Sequence, residues 1–209
     1  SKLGARMDLL VANKLMLYKG KNLDTICQAE ALNTFHKIRS NMDKIFYSLY
    51  ISEVVSNFGV EDDPCSNEVF DLLYRALEKI ASAQNKTEIL LAVIKFQLKM
   101  MIISGFGIEL GSCLKCGCEL KEDNMYFSSR LGGVICAKCN EAYGIPVIMH
   151  HKLRDFLMAL AQLDFDTKCD YEQKATEKVC NVCFELLKGY IDIHSPRKFN
   201  STAILQEVI

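Results

Sequence analysis

The sequence has almost no charge of one sign to spare: 25 basic residues against 26 acidic ones leave a formal charge of -1. That balance excludes a global pull toward nucleic acid or a membrane surface, so any such contact has to come from a local patch. Long apolar runs are also missing. The most apolar stretch, 89–103, is interrupted by Lys95, Gln97 and Lys99 and falls short of the roughly 20 residues that span a bilayer. No secretory leader pattern is present, so the ten cysteines read as reduced thiols of a cytosolic protein rather than as a disulfide framework. The equipment of a hydrolase or transferase is absent as well: there are four histidines, no Gly-x-Ser-x-Gly and no phosphate-binding glycine loop, which argues against an enzyme. Internal repeats and low-complexity segments are not found.

What remains is a globular composition. Half of the 209 residues are hydrophobic, enough for one sizeable core or a core with small satellites. The first residues read as a hairpin, "MDLLVANKLMLY" and "LDTICQ" around "KGKN", with Gly20 and Asn22 available for positive φ. The period then becomes helical. Phe35, Ile38, Met42, Ile45 and Leu49 form a stripe running to about Phe58. After Pro64, with Ser66 or Asn67 as N-cap, Val69, Leu72, Leu73, Ala76, Leu77 and Ile80 predict a second helix. A third opens at Thr87 and is apolar nearly all round, as the centre of a bundle would be, and Gly105 and Gly107 close it. Further helices are expected at about 150–163 and 172–193. The fold class expected is mainly α: a β segment over 1–30, then a helical domain over 31–209 with a cysteine-bearing insertion at about 111–144.

That insertion, "CLKCGCELKEDNMYFSSRLGGVICAKC", poses three alternatives: a metal site, two redox pairs, or packing residues. Polar residues and glycine dominate it, which argues against packing. Neither Cys-x-x-Cys lies in a βαβ unit, which argues against redox chemistry. The pairs Cys113/Cys116 and Cys136/Cys139 are nineteen residues apart, the pattern of a tetrathiolate zinc site. Gly117 and Asn140 are placed to take the left-handed turn of each knuckle, and "MYFSS" and "GGVIC" predict a hairpin that joins them. Four thiolates leave no open position for water, so one structural Zn2+ is expected and catalytic zinc is not. Cys118 reads as a bystander to Cys116, Cys180 and Cys183 as core packing on a helix, and His150 and His151 as surface or capping residues.

The blocks "SKLGARMDLL", "LDTICQAEAL", "FQLKMMIISGFGIELGSCLKCG", "YFSSRLGGVICAKC" and "HSPRKFNSTAIL" together resemble the RecO family of bacterial recombination mediators over essentially the whole chain. The resemblance implies an N-terminal OB-fold, a helical domain and an inserted zinc finger. It implies binding of single-stranded DNA and of the acidic C-terminal tail of single-stranded DNA-binding protein (SSB), pairing with RecR, strand annealing and RecA loading, without enzymatic activity, in the cytoplasm and associated with the nucleoid. An OB-fold has five strands, whereas about two are legible before Gln28 and the chain begins at Ser1 within structured-looking sequence. The first barrel strands are therefore expected to be missing, as in a fragment or processed product. The zinc site, not shared by every member, is expected to brace the insertion.

Two sets of residues are candidates for contact. From Ser1 to Lys21 the basic residues Lys2, Arg6, Lys14, Lys19 and Lys21 face one acid, Asp8. That asymmetry suits phosphate and equally suits a solvated strand edge guarded by lysine. Arg130, with Lys115, Lys138, Lys152 and Arg154, would extend the basic surface, diluted by Glu119, Glu122, Asp123 and Glu141. For the SSB tail, an apolar pocket with a cationic rim is required; Lys95 and Lys99, beside Phe96 and Met100, are its candidates, against the reading that they snorkel from a core helix. The alternative to a DNA-repair mediator is a zinc-ribbon helical scaffold that binds only protein partners.

Overall fold

A computed structural model of the chain describes residues 7–59, 64–120, 123–167 and 169–199. The alternating segment folds as a hairpin, with β1 (Ala12–Tyr18) antiparallel to β2 (Thr25–Asn33). The second strand continues past residue 30. Neither Gly20 nor Asn22 takes positive φ; the loop is instead closed by the Gly20 N–H donating to the Asp24 carboxylate at 3.2 Å. Leu15, Met16, Leu17, Tyr18, Leu23 and Leu32 are exposed on this hairpin.

The first helical stripe is broken where periodicity alone predicted continuity. Phe35 adopts a left-handed conformation (φ 42°), residues His36–Ser40 form a 3-10 turn, and α1 (Met42–Phe58) starts only after Asn41, whose side chain accepts the Lys44 N–H at 3.0 Å. The break shifts the phase. Phe35 and Ile38 are buried, but Met42 is exposed, and α1 buries Tyr47, Tyr50, Ile51 and Val54 instead.

Helix α2 (Ser66–Ser82) buries Leu72, Ala76, Leu77 and Ile80; Cys65, not Ser66 or Asn67, holds its N-cap position, without a side-chain capping bond. Helix α3 (Lys86–Ile103) begins one residue before the expected Thr87, because Asn85 accepts the Glu88 N–H at 3.0 Å while the Glu88 carboxylate accepts the Gln84 N–H at 2.7 Å. Every residue from Ile89 to Leu98 is buried, which follows from α3 lying among α1, α2, α5 (His151–Gln162) and α7 (Glu177–His194). The last expected helix is two: α6 (Asp170–Gln173) stops, and Thr176 recaps α7 by accepting the Val179 N–H. Cys180 and Cys183 are fully buried on α7 as expected, and burial pushes their thiols up to about 11 and about 12. Among the described residues no helix is long and apolar enough to cross a membrane.

Between α3 and α5 stands a three-stranded sheet, ordered β4 (Gly133–Ile135), β3 (Asn124–Ser128), β5 (Ile148–His150). The β3–β4 hairpin was legible in the sequence; β5 and α4 (Ala137–Tyr143) were not. The sheet is fastened at its root, where the Glu109 N–H donates to Gly132 O at 2.9 Å and Glu109 O accepts the Val134 N–H at 3.1 Å. A Cβ on Gly133 would stand 2.2 Å from Glu109 O, so the close approach demands glycine there. Met125, Phe127, Val134, Ile135 and Met149 are buried beneath it, and the Phe127 ring meets Tyr190 of α7.

Candidate metal centre and basic surface

The first knuckle is a tight hairpin. Gly117 (φ 70°) donates its N–H to Cys113 O at 2.8 Å, and the Cys113 N–H donates to Cys118 O at 3.0 Å. The second knuckle is the first turn of α4, with Cys136 at its N-cap and the Asn140 N–H bonded to Cys136 O at 3.0 Å. Asn140 is therefore helical rather than left-handed; its side chain bonds Ile145, and Gly144 (φ 60°) takes the left-handed position. The β3–β4 hairpin carries one knuckle to the other.

The thiol sulfurs of Cys113, Cys116, Cys118 and Cys136 all lie within 4.8 Å of one another. Cys139, half-buried on the first turn of α4, is not among those four, and the neighbouring thiols of Cys116, Cys136 and Cys113 push its own up. Cys118, expected beside the site, thus has its sulfur within the cluster. The signal for it was in "CGC": a turn at Lys115–Gly117 closes a hairpin whose two ends, Cys113 and Cys118, come to stand opposite each other.

Zinc–sulfur bonds of about 2.3 Å in a tetrahedron place sulfurs about 3.8 Å apart, and Cys116 and Cys136 are 3.9 Å apart. The electrostatics fit a cation too. Burial alone would raise the Cys113 thiol, but the backbone N–H groups of Cys116, Cys136 and Lys115 turn toward its sulfur and hold it at about 6. The Cys118 backbone N–H lowers Cys116 likewise. Their neighbours then resist ionisation: Cys116 pushes both Cys118 and Cys139 up to about 12. A soft divalent cation removes that mutual repulsion and ionises the remaining thiols. The donor set therefore fits a structural thiolate site.

The basic candidates separate. Lys2 and Arg6 lie outside the described residues. Lys14 is exposed on β1, directly across from Glu30, which offsets its charge. Lys19 and Lys21 are exposed in the hairpin loop, and Arg130 is exposed in the β3–β4 turn. Asp8, the acid of the N-terminal segment, is paired with Arg39 at 3.1 Å. Lys115 lies over the Tyr143 ring at 4.8 Å; Lys138 and Lys152 are exposed. Arg154 is engaged internally, donating to Leu120 O at 3.0 Å and pairing with Asp155. His150 caps α5 by accepting the Lys152 N–H, and His151 pairs with Asp123.

Lys95 does not snorkel, and in the cleft it lines with Leu91, Ala92 and Glu172 its ammonium is already engaged. It is 4% exposed and its ammonium donates to Thr167 O at 2.7 Å and Phe165 O at 3.3 Å while pairing with Glu172 at 2.9 Å. It fastens the connection between α5 and α7 onto α3, and no donor is left for a partner. Lys99, one turn on, does border a cleft of about 590 Å³ with Leu72, Ile102, Ile103 and Phe165; burial lowers its ammonium pKa. Glu68, Asp71 and Asp164 share the rim, and Arg75 beside them is committed to Asp164 and Asp166.

With this geometry in view, comparison with known proteins is specific. The family model described as recombination protein O C terminal matches residues 39–203. The chain is similar to the DNA repair protein RecO of Desulforamulus reducens, 28% identical over 204 residues, which cover 94% of this chain and 74% of that one. It is 29% identical to the DNA repair protein RecO of Alkaliphilus metalliredigens over 92% of this chain and 76% of the relative. With that of Dehalococcoides mccartyi the identity is 30% over 70% and 57%.

Proposed function

Because the chain belongs to the RecO family of DNA repair proteins, we propose that it is a non-enzymatic recombination mediator. In this reading it binds single-stranded DNA and the SSB tail, pairs with RecR, and promotes annealing and RecA loading in the cytoplasm, at the nucleoid. The observation that carries it is the family match over residues 39–203, a span that contains the bundle and the thiol cluster. The hairpin at the N-terminal end belongs, on the same reading, to a partial OB-fold, with the helical domain following it.

The proposed metal is one zinc per chain, held by Cys113, Cys116, Cys136 and Cys139. Bound there, it cross-links the two knuckles and has no open position for chemistry. DNA contact is assigned to Lys14, Lys19, Lys21 and Arg130, with Lys2 and Arg6 ahead of them. The SSB tail is assigned to the cleft bordered by Lys99, because its apolar floor of Leu72, Ile103 and Phe165 suits a peptide that ends in a hydrophobic residue.

Anisotropy with a labelled single-stranded oligonucleotide tests the DNA arm. Neutralising about three or four phosphates gives a slope of roughly -2 to -3 for log affinity against log salt. Reversing Lys14, Lys19 and Lys21 to Glu should flatten that slope; an unchanged slope would refute the hairpin assignment. Calorimetry with an SSB-tail peptide and its scrambled control tests the second arm, and Lys99→Glu its location. The other reading, a scaffold for protein partners only, has one observation in its favour: the apolar residues exposed on β1 and β2 suit a protein contact better than phosphate. Loss of all oligonucleotide binding at low salt, with RecR pairing intact, would decide for it.

A further inference from the structure

Of the ten cysteines only Cys27, Cys116 and Cys118 are exposed, and Cys27 lies on β2, outside the thiol cluster. Cys116 and Cys118 belong to the cluster, their sulfurs within 4.8 Å of each other, while its other two members, Cys113 and Cys136, are buried. An oxidant in water therefore meets one pair of neighbouring thiols. The turn that carries them is short and stands in the open. Gly117, between them at φ 70°, donates its N–H to Cys113 O at 2.8 Å, the Cys113 N–H donates to Cys118 O at 3.0 Å, and a bridge between Ser112 and Glu119 extends the hairpin. A Cβ on Gly117 would meet nothing within 4 Å, so the turn can tighten without displacing a packed neighbour. A disulfide needs the sulfurs about 2.0 Å apart, and rotation of the two exposed side chains brings them toward it. We infer that Cys116 and Cys118 are an oxidisable pair, which a peroxide converts to a disulfide across Gly117, opening the thiol centre.

The step balances with hydrogen peroxide as the oxidant. The Cys116 thiolate attacks one peroxide oxygen: a sulfur–oxygen bond forms, the oxygen–oxygen bond breaks, and hydroxide leaves to become water. The Cys118 sulfur then attacks the Cys116 sulfenic acid. The sulfur–sulfur bond forms, the sulfur–oxygen bond breaks, and the departing hydroxide takes the Cys118 proton as a second water. The two sulfurs together lose the electron pair that the peroxide gains. A thiol reductant reverses the step by exchange. The consequence for a bound ion rests on the zinc reading above: the disulfide takes Cys116 out of the quartet and leaves three thiolates where four closed the site.

Trypsin cuts after Lys115 and Lys121, so residues 116–121, CGCELK, come away with both thiols and no other cysteine. The zinc-loaded full chain is treated with hydrogen peroxide, alkylated and mapped without reductant. That peptide should be unalkylated, lighter by two hydrogens than its reduced form and linked to no other; a thiol reductant should restore it. A link to the peptide bearing Cys113 or Cys136, or Cys116 carried to the sulfinic acid with Cys118 still alkylated, would overturn the pair. Zinc release, followed with a metallochromic dye, should run at one zinc for each disulfide. In Cys118→Ser the sulfenic acid has no partner across Gly117, so peroxide should carry Cys116 on to the sulfinic acid and reductant should no longer return the zinc. A Cys118→Ser chain that releases and regains zinc as the wild type does would overturn the role of Cys118. The map reads the disulfide and the dye reads the metal, so the two readings fail separately. Absence of zinc from the purified chain would remove the metal site and leave the pair to be decided by the map; a disulfide formed with zinc retained would refute the opening of the centre.

Discussion

The helical bundle and the cysteine insertion are built on opposite principles. Around α3 nearly every side chain is buried, from Ile89 through Met101, and α1, α2, α5 and α7 supply the walls. Burying a large aliphatic or aromatic side chain stabilises by about 1.5–3 kcal/mol, so the bundle has a core sufficient to itself. The insertion has strands of five, three and three residues, and four thiols whose sulfurs lie within 4.8 Å of one another. Short strands are marginal alone; these lean on the bundle through Met125, Phe127, Val134, Ile135 and Met149, which join its core, and a cross-link at the thiols would add to that support. One region is held by what water excludes; the other gathers the thiols that could hold a metal ion.

The strongest way to break the bundle is therefore from its centre. Phe96 is fully buried, and Phe96→Ala should cost about 3–5 kcal/mol, the transfer term plus the cavity left behind. Denaturant titration should show a lower midpoint with an unchanged slope. A loss below about 1 kcal/mol would mean that α3 is not the hub it resembles.

Nearly as large an effect should come from the one charge inside that apolar helix. Removing Lys95 leaves Glu172 without its partner and two carbonyls, of Phe165 and Thr167, without their donor. Lys95→Ala should cost about 3–5 kcal/mol, the range for breaking a buried pair, whereas Lys95→Met with Glu172→Gln should recover part of it by removing the stranded charge. A double variant no better than Lys95→Ala would show that the carbonyl contacts dominate. In the same two proteins the SSB-tail affinity should be unchanged where folding is intact, because Lys95 faces inward.

Chelation should act on the other region. With the metal removed, amide exchange should quicken in β3, β4 and α4 while α3 and α7 keep their protection. Cooperative loss of the helices on chelation would contradict the division between the two regions, since it would make the bundle depend on the insertion.

How much of this was legible depended on length and on sequence separation. The α2 stripe of Leu72, Ala76, Leu77 and Ile80 extends over about two turns and the all-round apolarity of α3 over more than three, so periodicity carries them. Three-residue β5 has no period to detect. The interruption at Asn41 was hidden because a pause in a helix leaves the spacing of Phe35 and Ile38 looking helical. Lys95 could not be read at all: its partners lie 70 and 72 residues away at Phe165 and Thr167, and an amphipathic lysine on an apolar helix looks the same in sequence whether it reaches out or in. The cysteine spacing located the thiol cluster but did not foresee Cys118 within it, because spacing counts residues along the chain and Cys118 enters the cluster by closing a turn.

The smallest expected effect concerns the surface where the bundle meets the α5–α6 connection. Arg75 donates to Asp164 and Asp166 at 2.9 Å, and Lys79 joins Asp166 at 2.9 Å. Arg75 holds the Asp164 carboxyl below its ordinary value of 3.8, and Lys79 with Arg75 does the same for Asp166. A carboxyl depressed in the folded state contributes stability that is present above its unfolded pKa and is lost as pH falls through the folded one. Wild type should thus lead Arg75→Gln in thermal midpoint at pH 6, and the lead should shrink as pH is lowered from about 4 toward 2. All three side chains are more than a third exposed, so solvent and salt screen the pairs and the lead should also shrink in high salt. A difference that persisted unchanged at low pH would locate the contribution of Arg75 in its cation–π contact with the Phe165 ring, 5.7 Å from the guanidinium, rather than in its carboxylate pairs.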